Sequence, residues 1–234
     1  MKTILIMGAS GGLGTELTKY FSAKEYNLAL HYYENEPKAL PQNAVAFQAD
    51  IRKEDDIKEL IADVAKTFGT IDIILNNAGI SKSEISWKAE KDSWEDTMAI
   101  NLTGPFLVTK HALPYMREQK FGRIIFMSSI VAQTGFVGAS AYAASKAGLI
   151  GLTKSLSKEL ANKNITVNSI ALGYFNAGMI NDVPDEMQAM LISNIPVNKL
   201  GDPEQLAELM NYLISDKAAY LTGQTLNLNG GLYS

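Results

Sequence analysis

The chain has no cysteine among its 234 residues, which excludes disulfides, thiolate nucleophiles and cysteine-ligated metals. It also lacks a basic excess. Its 21 Lys and Arg stand against 25 Asp and Glu, a net charge of −4, so no electropositive field is present to hold nucleic acid or an anionic membrane. Histidine is scarce. His31 and His111 have no ligand-like neighbours and read as structural or surface residues, and the carboxylates form no metal-ligand cluster, so no metal is expected. No apolar run is long enough to span a bilayer. The opening Met1-Lys2-Thr3 runs into the short stretch Ile4–Met7 rather than into a signal-peptide core, so a cytoplasmic location is expected.

What is present is an alternation. Short apolar runs at Thr3–Met7, Leu28–Tyr32, Val45–Gln48, Ile71–Leu75, Arg123–Met127, Thr166–Ala171 and Thr225–Leu228 read as strands, several of them apolar throughout as if covered on both faces. Between them, Lys53–Phe68, Ser140–Asn162 and Pro203–Ser215 carry apolar residues at helical spacing. The pattern predicts one α/β domain over residues 1–234: a Rossmann-type, doubly wound parallel sheet of about seven strands with helices on both faces. Only Glu34–Asn43 separates the second and third strands, with Pro37 and Pro41 inside it. A crossover helix normally takes a dozen or more residues, so this crossover is expected to be shortened to a loop or a single turn.

The first strand ends in Gly8-Ala9-Ser10-Gly11-Gly12-Leu13-Gly14, and a helical pattern follows at once. Glycines here let the backbone approach a pyrophosphate, while the following helix start offers free N–H groups. A glycine turn alone is commonplace; the strand before it and the helix after it make a dinucleotide loop the better reading. Tyr142 and Lys146 lie four apart in a helical stretch and share one face. That pair too is commonplace by itself, as is a serine such as Ser129 at a strand end. Trp87 and Trp94 read as packing residues.

Together these stretches resemble the short-chain dehydrogenase/reductase family. The resemblance is carried by Gly8-x-x-x-Gly12-x-Gly14, Asp50-Ile51, Asn76-Asn77-Ala78-Gly79, Ile100-Asn101-Leu102, Ser129 followed by Tyr142-Ala143-Ala144-Ser145-Lys146, and Thr222-Gly223 through Gly231, in the family's order. It implies Asn101, Ser129, Tyr142 and Lys146 as catalytic residues. The implied cofactor contacts are Gly8, Ser10, Gly11, Gly12, Leu13, Gly14, Tyr33, Glu34, Asp50, Ile51, Asn77, Ala78, Gly79, Tyr142, Lys146, Gly173 and Phe175. A free phenol titrates near 10; the ammonium of Lys146 and an oxidised nicotinamide are expected to favour phenolate at Tyr142. In reduction Tyr142 would give a proton to a carbonyl oxygen that Ser129 also bonds, Lys146 would hold the nicotinamide ribose, and Asn101 would keep a water in a proton chain beyond it.

Four positions depart from the family pattern. Met7 replaces a usual threonine, Leu172 precedes Gly173 where proline is usual, Ala177 replaces a threonine that bonds the cofactor, and Gly11 stands where NADPH users often carry arginine. Glu34 after the second strand points to NADH, while His31-Tyr32-Tyr33-Glu34-Asn35-Glu36-Pro37-Lys38 resembles a stretch of NADPH-using ketoacyl reductases. NADPH and NADH both stay open, with NADPH favoured. The segment 174–200 is expected to be the substrate lid.

Within the family, the resemblance is closest to reductases of 3-oxoacyl thioesters carried by acyl-carrier protein or CoA. An acyl-carrier protein would want basic residues, and Lys82, Lys110, Arg117 and Lys120 are candidates, though each reads equally as a solvated charge. Another small ketone, alcohol or sugar as substrate stays open, as does a non-catalytic dinucleotide-binding regulator. The resemblance also implies a homotetramer built on the helices near Pro105–Lys120 and Ser140–Asn162 and on the C-terminal strand.

Overall fold

The computed structural model describes every residue except Ala39. Seven strands, β1 (Lys2–Met7), β2 (Tyr26–Tyr32), β3 (Ala44–Gln48), β4 (Ile73–Asn76), β5 (Gly122–Ser129), β6 (Ile165–Leu172) and β7 (Thr225–Leu228), form one parallel sheet in the order β3-β2-β1-β4-β5-β6-β7. The helices are α1 (Gly12–Ser22), α2 (Glu54–Phe68), α3 (Lys91–Met98), α4 (Gly104–Gln119), α5 (Val131–Thr134), α6 (Ser140–Leu160), α7 (Asp185–Ser193) and α8 (Pro203–Ile214). The expected doubly wound fold is what forms.

Alternation within β1 shows why. Leu5 and Met7 join Ile57, Val108 and Leu149 in one apolar cluster, under α2, α4 and α6. Ile4 and Ile6 join Leu17, Phe21, Leu206 and Met210 in the other, under α1 and α8. A strand buried on both faces has no polar side to show, so its sequence is an unbroken apolar run. The strand order reverses between β1 and β4, and the carboxyl ends of those two strands open the crevice where such sheets bind ligands.

Local chemistry sets the helix ends. α2 begins with Glu54, Asp55 and Asp56 at its positive end and stops at Gly69, which takes a left-handed φ of 77°. Asp202 and Gln205 cap the start of α8 reciprocally, with Pro203 in the first turn. Between β2 and β3 the described residues form bends and turns without a helix, as the short spacing required. The tryptophans differ from expectation: Trp87 is 82% exposed and Trp94 42%, because both sit on the loop and first turns leading into α3 rather than under the sheet.

Candidate active site

The glycine turn leaves β1 at Gly8, whose φ is +71°. A Cβ there would lie 2.8 Å from Ala78 Cα, so the turn after β1 and the segment after β4 touch backbone to backbone. Asn77 Nδ2 donates to the Gly8 carbonyl at 3.0 Å. Ser10 and Gly11 are exposed, Leu13 is half-buried, and Gly14 is buried because a Cβ would strike the Gly8 carbonyl oxygen. α1 starts at this turn with no side-chain cap and no acidic residue in its first turn, leaving its N–H groups free for an anion. This suits a dinucleotide pyrophosphate. Gly12 is expected to serve that approach directly, but its missing Cβ makes room for protein: the backbone N and Cα of Gly178 occupy the place. The segment after β6 therefore rests on the glycine turn.

Past the end of β2, Tyr33 and Glu34 are exposed. Asp50 is buried after β3, and its carboxylate is gripped side-on by Arg52, Nε to Oδ1 and Nη2 to Oδ2, both at 2.8 Å. Oδ1 also accepts from the Arg52 amide at 3.0 Å. The Arg52 guanidinium holds the Asp50 carboxyl below its usual range. Nη2 of Arg52 also donates to Tyr33 Oη at 2.9 Å, while Nη1 lies 3.8 Å from Asp96 Oδ1, beyond hydrogen-bond distance. Ile51 is 6% exposed and fills the space a Cβ on Gly104 would need. Arg52 was not anticipated from sequence, since nothing in its spacing reveals a bridge between the ends of β2 and β3.

The catalytic candidates come together at the carboxyl ends of β4 and β5. Ser129 ends β5, and its hydroxyl accepts from Val131 N at 3.2 Å. Tyr142 and Lys146 follow on α6. Lys146 Nζ lies 5.6 Å from the Tyr142 ring centroid and donates to the Met127 carbonyl at 2.8 Å. Gly79 sits against it, since a Cβ there would be 3.2 Å from Lys146 Nζ and 3.3 Å from Asn101 Oδ1. Asn101 is fully buried in a π-helical turn, Ala99–Thr103, between α3 and α4. Such widened turns recur at functional sites. Its Oδ1 accepts from Ile80 N and its Nδ2 donates to Ile80 O, both at 2.8 Å. Nδ2 also donates to Ser145 Oγ at 3.1 Å, and Ser145 Oγ donates to the Tyr142 carbonyl at 2.8 Å. Ser145, missed in the sequence, thus ties the π turn to the helix that carries Tyr142.

The electrostatics depart from expectation. Burial pushes the Tyr142 phenol up, and the facing Ser129 hydroxyl only partly opposes it. Burial also lowers Lys146, to about 8. The ammonium spends its contact on Met127 O rather than on the phenol, so the desolvation of Tyr142 wins.

Leu172, the last residue of β6, is buried, and Gly173 after it packs where a Cβ would lie 2.7 Å from Asn229 Cα. Phe175 is 5% exposed and stacks over Gly201, whose own Cβ would meet the ring. Ala177 supplies no hydroxyl, and the backbone of 177–178 lies on Gly12 instead. Tyr174, half-buried, faces Tyr142 and raises it further. Of the basic candidates, Lys82 pairs with Asp96 at 3.1 Å and Lys110 with Glu54 at 2.8 Å. Arg117 lies with Lys110 along a groove between α4 and α6.

Comparison with known proteins agrees with this geometry. Residues 8–233 match a family model described as enoyl-(acyl carrier protein) reductase. The chain is 37% identical to the 3-oxoacyl-[acyl-carrier-protein] reductase FabG of Staphylococcus epidermidis, covering 99% of each protein. It is 35% identical to the FabG of Thermotoga maritima, covering 99% of this chain and 97% of that one, and 37% identical to nodulation protein G of Azospirillum brasilense, covering 99% and 98%. The chain belongs to the short-chain dehydrogenase/reductase family of nicotinamide-dependent oxidoreductases, enzymes that act on a CH–OH/C=O pair.

Proposed function

We propose that the chain reduces a 3-oxoacyl thioester, carried by acyl-carrier protein or CoA, to the 3-hydroxyacyl thioester with NADPH in the cytoplasm. The observation that carries this reading is the pairing of the Ser129 and Tyr142 hydroxyls on adjacent elements, with the buried Lys146 ammonium one helical turn further along. Two neighbouring hydroxyls suit a carbonyl oxygen. The description of the family model and the names of the relatives share acyl-carrier-linked substrates.

The dihydronicotinamide, when bound, supplies hydride to the carbonyl carbon. Ser129 donates a hydrogen bond to the carbonyl oxygen, and Tyr142 Oη delivers the proton to that oxygen. A phenol raised by burial stays protonated at neutral pH, which is the state a proton donor needs. Lys146 then stands as the next proton source, and Asn101, through Ile80 and Ser145, fixes the helices around it. Gly8–Gly14 would take the pyrophosphate, Asn77–Gly79 and Gly173–Phe175 would flank the nicotinamide half, and Tyr33, Asp50 and Ile51 the adenosine half. One acceptor position remains on Asp50 Oδ2 after the Arg52 contacts, suited to an adenine amino group.

Arg52 supports the choice of NADPH. It places a cation at the end of β2 with Nη1 unengaged by any hydrogen bond among the described residues, in compensation for the glycine at position 11. Segment 174–200 serves as the substrate lid, with α7 inside it. Exposed Phe106, with Leu102, Gly148, Gly151 and Leu152, lines an apolar groove on α4 and α6 that suits a second copy of this chain, in keeping with a homotetramer.

The test is initial rates of NADPH and NADH oxidation over a panel of acetoacetyl and longer 3-oxoacyl thioesters, simple ketones and sugars. Thioester turnover with NADPH is expected. Tyr142→Phe should lower kcat by about two to four orders of magnitude with cofactor binding kept, and Arg52→Ala should erode the preference for NADPH. Turnover of other carbonyls only would move the substrate assignment. Tight cofactor binding without turnover would make the chain a regulator.

A further inference from the structure

We propose that His31 is a positioning residue for the dinucleotide turn, holding Gly8 in its binding shape from inside the sheet. The inference rests on the reading above that the Gly8–Gly14 turn takes the cofactor. His31 lies in β2, 2% exposed, and both ring nitrogens are used. Gly8 N donates to Nδ1 at 3.1 Å, and Nε2 lies 3.0 Å from the Ala49 carbonyl oxygen. An amide nitrogen only donates, and a carbonyl only accepts. Nδ1 must therefore be bare and Nε2 must carry the proton, so one neutral tautomer alone satisfies both contacts. Burial pushes the His31 pKa down, in keeping with that neutral ring, against an opposing pull from Asp50.

The rest of the turn shows what this contact does. The His31 carbonyl accepts from Ala9 N at 2.9 Å, so backbone and side chain of one residue seize two successive amides. On the other side, the Gly8 carbonyl accepts from Asn77 Nδ2 at 3.0 Å and from Gly11 N at 3.3 Å. The first peptide of the turn is thereby clamped between β2 and the segment after β4. Its left-handed φ and its contact with Ala78 leave it no freedom to relax without reshaping the path to Gly12. The ring reaches across to Ala49, at the end of β3, so the same side chain links the pyrophosphate turn to the adenosine edge.

Two substitutions separate positioning from general support, because each keeps one contact. Asn at position 31 places its Oδ1 where Nδ1 was and keeps the Gly8 acceptor. Gln places its Nε2 where the ring Nε2 was and keeps the Ala49 donor. The Kd for NADPH is measured by fluorescence titration of the full chain, alongside thermal denaturation. His31→Asn is expected to stay within about threefold of the parent Kd, while His31→Gln raises it about tenfold, one lost hydrogen bond at the turn. Both variants should lose thermal stability to similar extents. Equal Kd values for the two variants would overturn the proposal. Ring nitrogen NMR shifts on the parent protein give a readout free of any folding defect: a neutral Nε2–H tautomer is expected, and an Nδ1–H or charged ring overturns it. Failure of the parent protein to bind either NADPH or NADH would instead remove the cofactor reading beneath it.

Discussion

Lys146 is a buried ammonium whose burial brings its pKa down to about 8, from an ordinary value of 10.5. The folded state thus holds this proton less tightly than the unfolded chain, which opposes folding below about 8; that opposition fades as the pH climbs toward 10.5. Activity should move the other way. The raised phenol of Tyr142 still holds its proton at pH 8, so the reductive kcat/KM is expected to fall through pH 8 as Lys146 discharges, while the Lys146 contribution to stability improves. Rate–pH profiles beside thermal denaturation at each pH check it; a limb that begins only above 10 would assign the loss to the phenol. The sequence showed the Tyr142–Lys146 spacing but not this balance. Spacing says the two side chains share a helix face, whereas burial and the pull of the Met127 carbonyl on Nζ arise only once β5 packs under α6. His31 was illegible for a similar reason, its partners lying 23 and 18 positions away.

Among the elements, the contact between Gly12 at the start of α1 and Gly178 after β6 is the most constrained. Backbone stands on both sides, so neither can yield as a flexible side chain would. Gly12→Ala is expected to lower stability by about 1–3 kcal/mol and weaken cofactor binding. Gly178→Ala meets only Leu13 N at 3.8 Å and pays chiefly for its φ of +74°, about 1 kcal/mol. Thermal denaturation of the two variants should rank them in that order. Strands were legible to within a residue or two, because β1, β4 and β5 are sealed on both faces and carry runs of consecutive apolar residues, and β6 keeps enough of them around its buried Thr166, Asn168 and Ser169. The π turn at Ala99–Thr103 was not, since a widened turn has no periodicity of its own and is fixed by Asn101 bonding Ile80, 21 positions earlier. The exposure of Trp87 likewise follows from where the loop before α3 lies, which composition does not encode.

For the whole molecule, the uncovered face of α4 and α6 sets the expected assembly. α6 buries Leu149, Leu156 and Leu160 under the sheet yet leaves Gly151 exposed, with half-buried Gly148, along the groove that Phe106 lines. Small residues next to a ring make a surface that another helix pair can approach closely. If the parent protein scatters as the proposed tetramer, Phe106→Glu should shift its mass to smaller species while leaving the circular dichroism unchanged; an unchanged mass would remove this face from the interface.

The residues described between β2 and β3 form no helix, which leaves that edge of the sheet without one of its usual covers. No side chain of β3 is fully buried, as none of β7 is at the opposite edge, and Val45 is 38% exposed, so the margin proposed to take the adenosine half is thinly walled. A bound dinucleotide would act as a shield there, stiffening this flank far more than the opposite one. Amide exchange should show this as slowing concentrated at 44–48 on adding NADPH, with β5 and β6 hardly altered; uniform slowing would mean that the two flanks open together.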